Sequence, residues 1–198
     1  MPTRYNVAPQ THMPIVVGDS PNRLDIMLWG LVPFRAKQEG VGDRMINARA
    51  ETLAERPTYR AALRYHRCLV PANGYYEWRT TPAGREPYVV HLPDEPLLAF
   101  AGLSDVWYSP DGGEGRTYTI ITCEPNAVMA PIHNRMPAIL PREAEAAWLD
   151  PAETRAAAVL PLLRPYPAER MATYRVSTAV NSKRNEGPAL IAPLSLPN

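Results

Sequence analysis

Proline and glycine interrupt this chain at short intervals, which limits the length of the regular elements it can form. The 198 residues include 23 prolines and 11 glycines, about 17% of the chain. This share is high for a globular protein but below the level that is typical of disordered chains. Most segments between these breakers are short and apolar, with the composition of β-strands. The pattern therefore predicts a folded, strand-dominated chain.

The periodicity predicts a few helices among many strands. The predicted helices are Pro57–Tyr65, Arg142–Leu149 and Ala152–Leu163, with one or two helical turns at Pro125–Ile132. The predicted strands are Pro14–Val17, Leu24–Trp29, Arg67–Pro71, Gly74–Arg79, Pro87–Leu92, Leu97–Tyr108, Arg116–Thr122, Met136–Leu140 and Tyr174–Val176. Loops are predicted at residues 18–22, 34–44 and 80–86. Because the chain shows no repeat and no long linker, we expect one α+β domain over residues 1–198, with a mainly antiparallel sheet.

Composition excludes several classes of protein. No apolar run approaches the roughly 18 residues of a membrane span, and the first residues do not resemble a signal peptide. The two cysteines, Cys68 and Cys123, lie in apolar runs, which favours buried free thiols in a reducing compartment. The four histidines are scattered, and nucleotide-binding and hydrolase motifs are absent. We therefore expect a soluble intracellular protein without a metal or cofactor.

The positive charge of the chain is carried almost entirely by arginine. Only Lys37 and Lys183 are lysines among 21 basic residues, although the net charge is only +1. Arginine binds phosphate well because its planar guanidinium can donate to two oxygens at once. A GC-rich genome would produce the same bias. The composition is thus compatible with a nucleic-acid partner without requiring one.

Three segments contain polar residues that a plain core would not select. In the first, Met45–Thr52, Asn47 and Arg49 are two positions apart. On an extended segment they project to the same side, where an amide and a guanidinium can position an anionic substrate. A surface turn would show the same spacing.

In the second segment, Arg67–Arg79, Glu77 lies between the aromatic residues Tyr76 and Trp78. A carboxyl group that its neighbours partly desolvate has a raised pKa, which suits general acid–base catalysis. Strand alternation allows the opposite interpretation, with Glu77 on a solvent face and both aromatic rings on the other face.

In the third segment, Ala130–Pro137, two prolines flank His133, and Arg135 follows it two positions later. A histidine can shuttle protons near neutral pH or polarise a carbonyl group. Arg135 adds a possible phosphate ligand. A lone histidine can equally be a structural residue.

These segments belong to a series of blocks that resembles the SOS response-associated peptidase (SRAP) family. The blocks, in chain order, are Arg4–Pro9, Trp29–Pro33, Asn47–Thr52, Cys68–Trp78, Ile120–Thr122, Ile132–Pro137 and Val180–Pro188. Any one block is weak evidence, but seven blocks in order are specific. The resemblance implies a strand-rich α+β fold, in which curved, barrel-like sheets with peripheral helices enclose the site.

The resemblance also implies a function: single-stranded DNA binding and a covalent link to abasic sites. In the family, an N-terminal cysteine supplies an amine and a thiol that condense with the sugar aldehyde to give a thiazolidine. By resemblance, Asn47 would hold that amine, Glu77 would transfer protons, and His133 would assist sugar ring opening. Arg49 would bind a phosphate beside the lesion. The remaining matched positions would line the DNA groove: Arg135, Thr122, Trp78 and Pro9.

The chain departs from the family pattern at its start. The family begins Met-Cys-Gly-Arg before a short segment, whereas the matching block begins here at Arg4. Cys68 and Cys123 are internal, so neither has an α-amine to replace the nucleophile. We therefore expect an N-terminally truncated domain that forms no stable crosslink. Asn134 also stands where the family usually has an aspartate after the histidine.

Three functions remain open at this point. The first is abasic-site crosslinking by the intact protein, and the second is a thiol peptidase that processes itself, as the family name suggests. The third is a non-catalytic module for single-stranded DNA, whose affinity would fall steeply with salt. In each case we expect a monomer without membrane contact, located in the cytoplasm and, in a bacterium, at the nucleoid.

Overall fold

Strands carry most of the regular structure in the computed structural model, which describes residues 3–18 and 22–194. The strands are β1 (His12–Val17), β2 (Arg23–Trp29), β3 (Asn47–Arg49), β4 (Arg67–Ala72), β5 (Tyr75–Thr81), β6 (Gly84–His91), β7 (Leu98–Tyr108), β8 (Glu114–Cys123), β9 (Met136–Pro137), β10 (Ile139–Leu140) and β11 (Ala172–Arg175). The α-helices are α1 (Pro57–Tyr65), α2 (Arg142–Leu149) and α3 (Ala156–Val159). Short 3-10 helices lie at Glu39–Arg44, Ala50–Thr52, Leu160–Leu162, Ala168–Arg170, Thr178–Asn181 and Pro188–Ile191.

Five strands close into a mixed barrel. β1 pairs with β2 and β4, β4 pairs with β7, β7 pairs with β8, and β8 returns to β2. The β2–β8 pairing is parallel and the other four are antiparallel. Closure leaves these five strands without a free edge. Three short strands extend the sheet, with β3 and β9 on β8 and β10 on β7.

A second, three-stranded antiparallel sheet in the order β11-β6-β5 packs against the barrel. Its two faces have different neighbours because side chains alternate along each strand. Tyr75 and Tyr88 pack on the main core, whereas Tyr76 and Trp78 pack with Val89 in a smaller cluster. The β5–β6 hairpin therefore separates two apolar clusters and has no free apolar face.

The α+β class, the barrel-like sheet and two helices are confirmed: α1 and α2 have the predicted bounds. The predicted helix Ala152–Leu163 is wrong over most of its length, since only Ala156–Val159 is α-helical. Side-chain oxygens of Asp150 and Glu153 accept the N–H groups of Ala152 and Arg155, which competes with a helical start. Pro161 then lies in the 3-10 turn that ends the element.

The predicted strand Met136–Leu140 is divided in two at Ala138. The N–H of Ala138 donates to Ile121 on β8, and its carbonyl accepts from Ala101 on β7. The chain thus passes from one barrel strand to the next at a single residue.

The one or two helical turns predicted at Pro125–Ile132 agree with the turns observed there, in which Ala130 donates to Asn126 and His133 to Met129. Two further predictions changed in detail. The predicted 34–44 loop contains a 3-10 helix. The β5–β6 turn spans only residues 82 and 83, since the cross-strand pairs continue to Thr81 and Gly84. Most of the predicted 18–22 loop lies outside the described residues. Within the described ranges, no helix has the length and apolar content needed to cross a membrane.

Candidate active site

Glu77 lies on the β5 face that looks toward the barrel. Alternation does place it opposite Tyr76 and Trp78, but its own face is not a solvent face, because its side chain is only 19% exposed. Burial raises the pKa of the Glu77 carboxyl group. The N–H of Trp78 donates to its Oε1 atom over 3.1 Å, and the positive charge of Arg85 partly opposes the rise. Glu77 can therefore hold a proton at a higher pH than an ordinary glutamate.

His133 is the neighbour of Glu77 across the site. Its Nδ1 atom is 3.8 Å from Oε2 of Glu77, and its side chain is 41% exposed. The same Nδ1 atom lies 3.2 Å from the N–H of Arg135 and 3.1 Å from the Arg135 carbonyl oxygen. A neutral ring can accept from that N–H, and a protonated ring can donate to the carbonyl or to Glu77. The two side chains thus lie close together, with the His133 ring the more exposed of the two.

A turn stabilised by Asn126 fixes the position of His133. The Asn126 carbonyl oxygen Oδ1 accepts the N–H groups of Val128 and Met129 at 3.1 and 3.0 Å. The N–H of His133 then donates to the carbonyl of Met129, whose side chain is fully buried. This explains why a segment without regular helix still holds a side chain in place.

Arg135 joins the histidine segment to the barrel. Its guanidinium forms a two-pronged ion pair with Glu51, with N–O distances of 2.8 and 2.9 Å. It also donates to the carbonyl of Thr122 on β8 over 2.6 Å. The Arg135 side chain is 19% exposed and that of Glu51 is 45% exposed. The predicted phosphate ligand is thus engaged with a carboxylate in this structure.

Asn47 and Arg49 lie on β3, which pairs in parallel with β8. Both residues are exposed, whereas Ala48 between them is buried, so the predicted projection to one side is confirmed. The register places Arg49 opposite Thr122, beside the Arg135 guanidinium. Within residues 3–18 and 22–194, neither the Asn47 amide nor the Arg49 guanidinium is hydrogen-bonded to another residue. Both remain available to a ligand.

Trp78 lies on the face of β5 opposite Glu77. The indole N–H of Trp78 donates to Oδ1 of Asn181 over 2.8 Å, and the Arg85 guanidinium lies 5.5 Å from the ring centre. Pro9 is exposed and precedes Gln10, which has a positive φ of 66°. The predicted contacts of Trp78 and Pro9 with DNA stay predictions.

Both cysteines are free and buried, as predicted. Burial raises the pKa of the Cys68 thiol well above its ordinary value and that of Cys123 to about 11. Since a thiolate is the reactive form, neither is a nucleophile at neutral pH. No group of three or more His, Cys, Asp or Glu residues in the described part of the chain could hold a metal ion.

Sequence patterns did not indicate Glu51 or Tyr75 as members of the site. Glu51 pairs with a residue 84 positions away, and no local spacing indicates such a contact. Tyr75 shares the β5 face of Glu77, and its buried hydroxyl has no hydrogen-bond partner among the described residues. In the sequence, only the position of Tyr75 two residues before Glu77 indicated that the two side chains share a face of the strand.

Comparison with known proteins gives a consistent result. A family model described as "SOS response associated peptidase (SRAP)" matches residues 1–183. The abasic site processing protein YoqW of Bacillus subtilis is 47% identical over 189 residues, which cover 94% of this chain and 84% of the relative. The abasic site processing protein HMCES of Gallus gallus is 36% identical over 225 residues, covering 97% of this chain and 66% of the relative. A crystal structure of a Bacteroides thetaiotaomicron protein superposes with a TM-score of 0.86 at 32% identity, covering 94% of this chain and 82% of that chain.

Proposed function

This chain belongs to the SOS response associated peptidase (SRAP) family, and we propose that it processes abasic sites in single-stranded DNA at the crevice around Glu77 and His133. The relatives YoqW and HMCES carry the name abasic site processing protein, which supports this assignment. The observation that carries the proposal is the 3.8 Å approach between the buried Glu77 carboxyl group and the half-exposed His133 ring.

This pair suits the chemistry of an abasic sugar. The sugar is a cyclic hemiacetal, and opening it removes a proton from the anomeric hydroxyl and delivers one to the ring oxygen. Glu77 and His133 can take and return those protons because each lies within reach of the other and one side of the pair is open. Burial raises the pKa of Glu77, so it holds a proton at a higher pH than a solvent-exposed glutamate does.

The exposed side chains of β3 suit the binding of the DNA strand. Arg49 is unpaired within the described residues, and its guanidinium can donate two hydrogen bonds to a phosphate. Asn47 lies two residues before it on the same face and can hold an amine or a sugar oxygen. Trp78 offers an aromatic ring for base stacking, which is worth about 1–3 kcal/mol per base.

The covalent step of this proposal consumes an aldehyde, an amine and a thiol. The amine adds to the aldehyde, water leaves with a proton from a general acid, and the thiol adds to the resulting imine to close a thiazolidine. One aldehyde and one aminothiol thus give one thiazolidine and one water. Cys68 and Cys123 cannot supply the aminothiol, because both are internal and buried. The chain therefore supplies the acid–base groups, and a cysteine with a free α-amine supplies the nucleophile.

A thiol peptidase is the less favoured function. Such an enzyme needs an accessible thiolate, usually activated by an adjacent histidine. Both thiols of the chain are buried and have a raised pKa, so a peptidase would also need another cysteine, and the names of the relatives YoqW and HMCES favour abasic-site processing. His133 is paired with a carboxyl group instead.

DNA binding tests the proposal with the chain as it stands. Fluorescence anisotropy would compare a labelled single strand with one abasic site, the intact single strand and the matching duplex. We expect the single strands to bind more tightly than the duplex, with affinity falling as salt rises. Arg49→Gln should weaken binding by about three- to tenfold, because it removes one phosphate contact.

Arg60→Gln provides the matched control, since Arg60 is an exposed arginine on α1 and the charge change is the same. Equal effects of the two substitutions, or a preference for duplex DNA, would contradict the proposal. On a denaturing gel the 198-residue chain should form no stable adduct with abasic DNA.

A further inference from the structure

We propose that Glu51 controls phosphate binding at this site by occupying the Arg135 guanidinium, so that a DNA phosphate reaches Arg135 only by displacing the Glu51 carboxylate. This inference rests on the proposed binding of single-stranded DNA. The two arginines of the site then act differently. Arg49 can bind the first phosphate directly, whereas Arg135 can bind a phosphate only after the Glu51 carboxylate has been displaced.

The geometry of the Glu51–Arg135 pair is the first support. Nη1 of Arg135 donates to Oε1 of Glu51 over 2.8 Å, and Nη2 donates to Oε2 over 2.9 Å. Two parallel hydrogen bonds of this kind are the arrangement by which a guanidinium also binds a phosphate. The carboxylate therefore occupies the edge of Arg135 that a phosphate would use.

The rest of the Arg135 guanidinium offers no equivalent edge. Nη2 also donates to the Thr122 carbonyl over 2.6 Å, which holds the head group against β8. Nε is buried and has no hydrogen-bond partner within residues 3–18 and 22–194. A ligand from solvent can thus gain two hydrogen bonds from Arg135 only at the edge that Glu51 covers.

The exchange is feasible because Glu51 is the more exposed member of the pair. Its side chain is 45% exposed and belongs to a short 3-10 helix, so the displaced carboxylate can turn into water. The Thr122 carbonyl keeps Arg135 in place during the exchange. One anion replaces another, so the buried cation never stands without a partner, which would be strongly unfavourable.

Glu51 also affects the neighbouring arginine. The hydrogen bonds from Arg135 and, more weakly, the charges of Arg135 and Arg49 hold the pKa of the Glu51 carboxyl group below its ordinary value, so it stays ionised at neutral pH. A phosphate that approaches Arg49 therefore meets a fixed negative charge nearby. Only a strand whose backbone contacts both arginines gains enough to displace it, which favours DNA over an isolated anion.

The test is a double-mutant cycle on binding of abasic single-stranded DNA. Glu51→Gln keeps the size of the side chain and removes its charge. We expect it to tighten binding by about three- to tenfold and to steepen the slope of log K against log salt by about 0.7, the value for one more phosphate contact on a single strand. Arg135→Gln should have a small effect alone and should abolish the gain when it is added to Glu51→Gln.

Glu114→Gln is the matched control, because it also removes one exposed carboxylate that pairs with an arginine, at the far end of β8. Thermal melting of each variant would establish that it is folded. An effect of Glu51→Gln no larger than that of Glu114→Gln, or weaker binding, would overturn the inference while leaving the proposed function intact. If the unsubstituted chain binds no single-stranded DNA, the proposed function fails and this inference fails with it.

Discussion

Two polar side chains on one face of β5, those of Glu77 and Tyr75, lie in positions that do not favour stability. Glu77 is a carboxyl group in a largely buried position, and Tyr75 has a buried hydroxyl without a partner among the described residues. A buried carboxylate and an unpaired buried hydroxyl each destabilise a fold. The two residues are two positions apart on β5, and the Glu77 carboxyl group lies 3.8 Å from His133. Each can be tested through the stability of the folded chain.

The Glu77 carboxyl group should make stability depend on pH in a defined direction. Its pKa is raised in the folded state, so the folded chain keeps a proton that the unfolded chain releases. Stability should therefore fall as pH rises from the ordinary glutamate value of about 4.3 through the raised value, and stay lower above it. Glu77→Gln should raise Tm by about a few degrees at pH 7, with no gain at about pH 4. A lower Tm for Glu77→Gln at pH 7 would contradict this account of the site.

Tyr75 and its neighbour Tyr76 form a matched pair for a second prediction. Tyr75→Phe removes a hydroxyl without a partner, so it should leave the free energy of unfolding unchanged or raise it. Tyr76→Phe removes a hydrogen bond of 2.6 Å to the Tyr5 carbonyl and should lower that free energy by about 1 kcal/mol. Denaturant unfolding of both variants measures the contrast. Equal losses would show that the Tyr75 hydroxyl has a partner.

At the scale of the elements, one buried arginine connects both longer helices to the barrel. Arg67 begins β4, is 5% exposed, and stacks over the Trp148 ring at 5.8 Å. Its guanidinium donates to five main-chain carbonyls at distances of 2.5 to 3.0 Å. These carbonyls lie at the ends of α1 and α2 and in the turn that follows α2, and they belong to Leu63, Arg64, Trp148, Asp150 and Glu153. The planar head group can satisfy carbonyls in several directions, which a lysine cannot.

Arg67→Lys should therefore destabilise the chain strongly. Several buried carbonyls would lose their donor, and each unsatisfied group lowers stability by about 1–3 kcal/mol. We expect Tm to fall by about 5–10 °C. Arg60→Lys on the exposed face of α1 is the control and should leave Tm within about one degree. Similar Tm values for the two variants would contradict the role of Arg67 as an anchor.

The elements show what local pattern can and cannot predict. Helix α1 was predicted to the residue because Pro57 suits the first helical position, and the predicted bounds of α2 also agree with the structure. The Ala152–Leu163 helix failed because side-chain oxygens of Asp150 and Glu153 took the N–H groups that would start it. The division at Ala138 could not be predicted, since it depends on hydrogen bonds to two strands that are distant in sequence.

At the scale of the whole molecule, the two ends of the matched pattern pack together. The Asn6 amide, from the first block, donates to the carbonyls of Val180, Ser182 and Asn185, in or beside the last block. Arg4 and Glu186 add an ion pair at 2.9 Å. These contacts join residues more than 170 positions apart, and the periodicity of the sequence gives no information about them. The ordered blocks of the sequence indicated the α+β fold and the family. Contacts between residues distant in sequence, such as the ion pair of Glu51 with Arg135, could be identified only in the three-dimensional structure.

We expect Glu77 and His133 to move protons on an abasic sugar, and the sharpest test of this claim supplies the nucleophile in solution. The measurement is the rate at which a Cys-Gly-Arg tripeptide forms its adduct with abasic single-stranded DNA, with and without the chain, followed by mass spectrometry. The chain should accelerate the reaction, and Glu77→Gln should lose that acceleration while it keeps its affinity for the strand. An adduct that forms equally fast without the chain, or equally fast with Glu77→Gln, would contradict the claim.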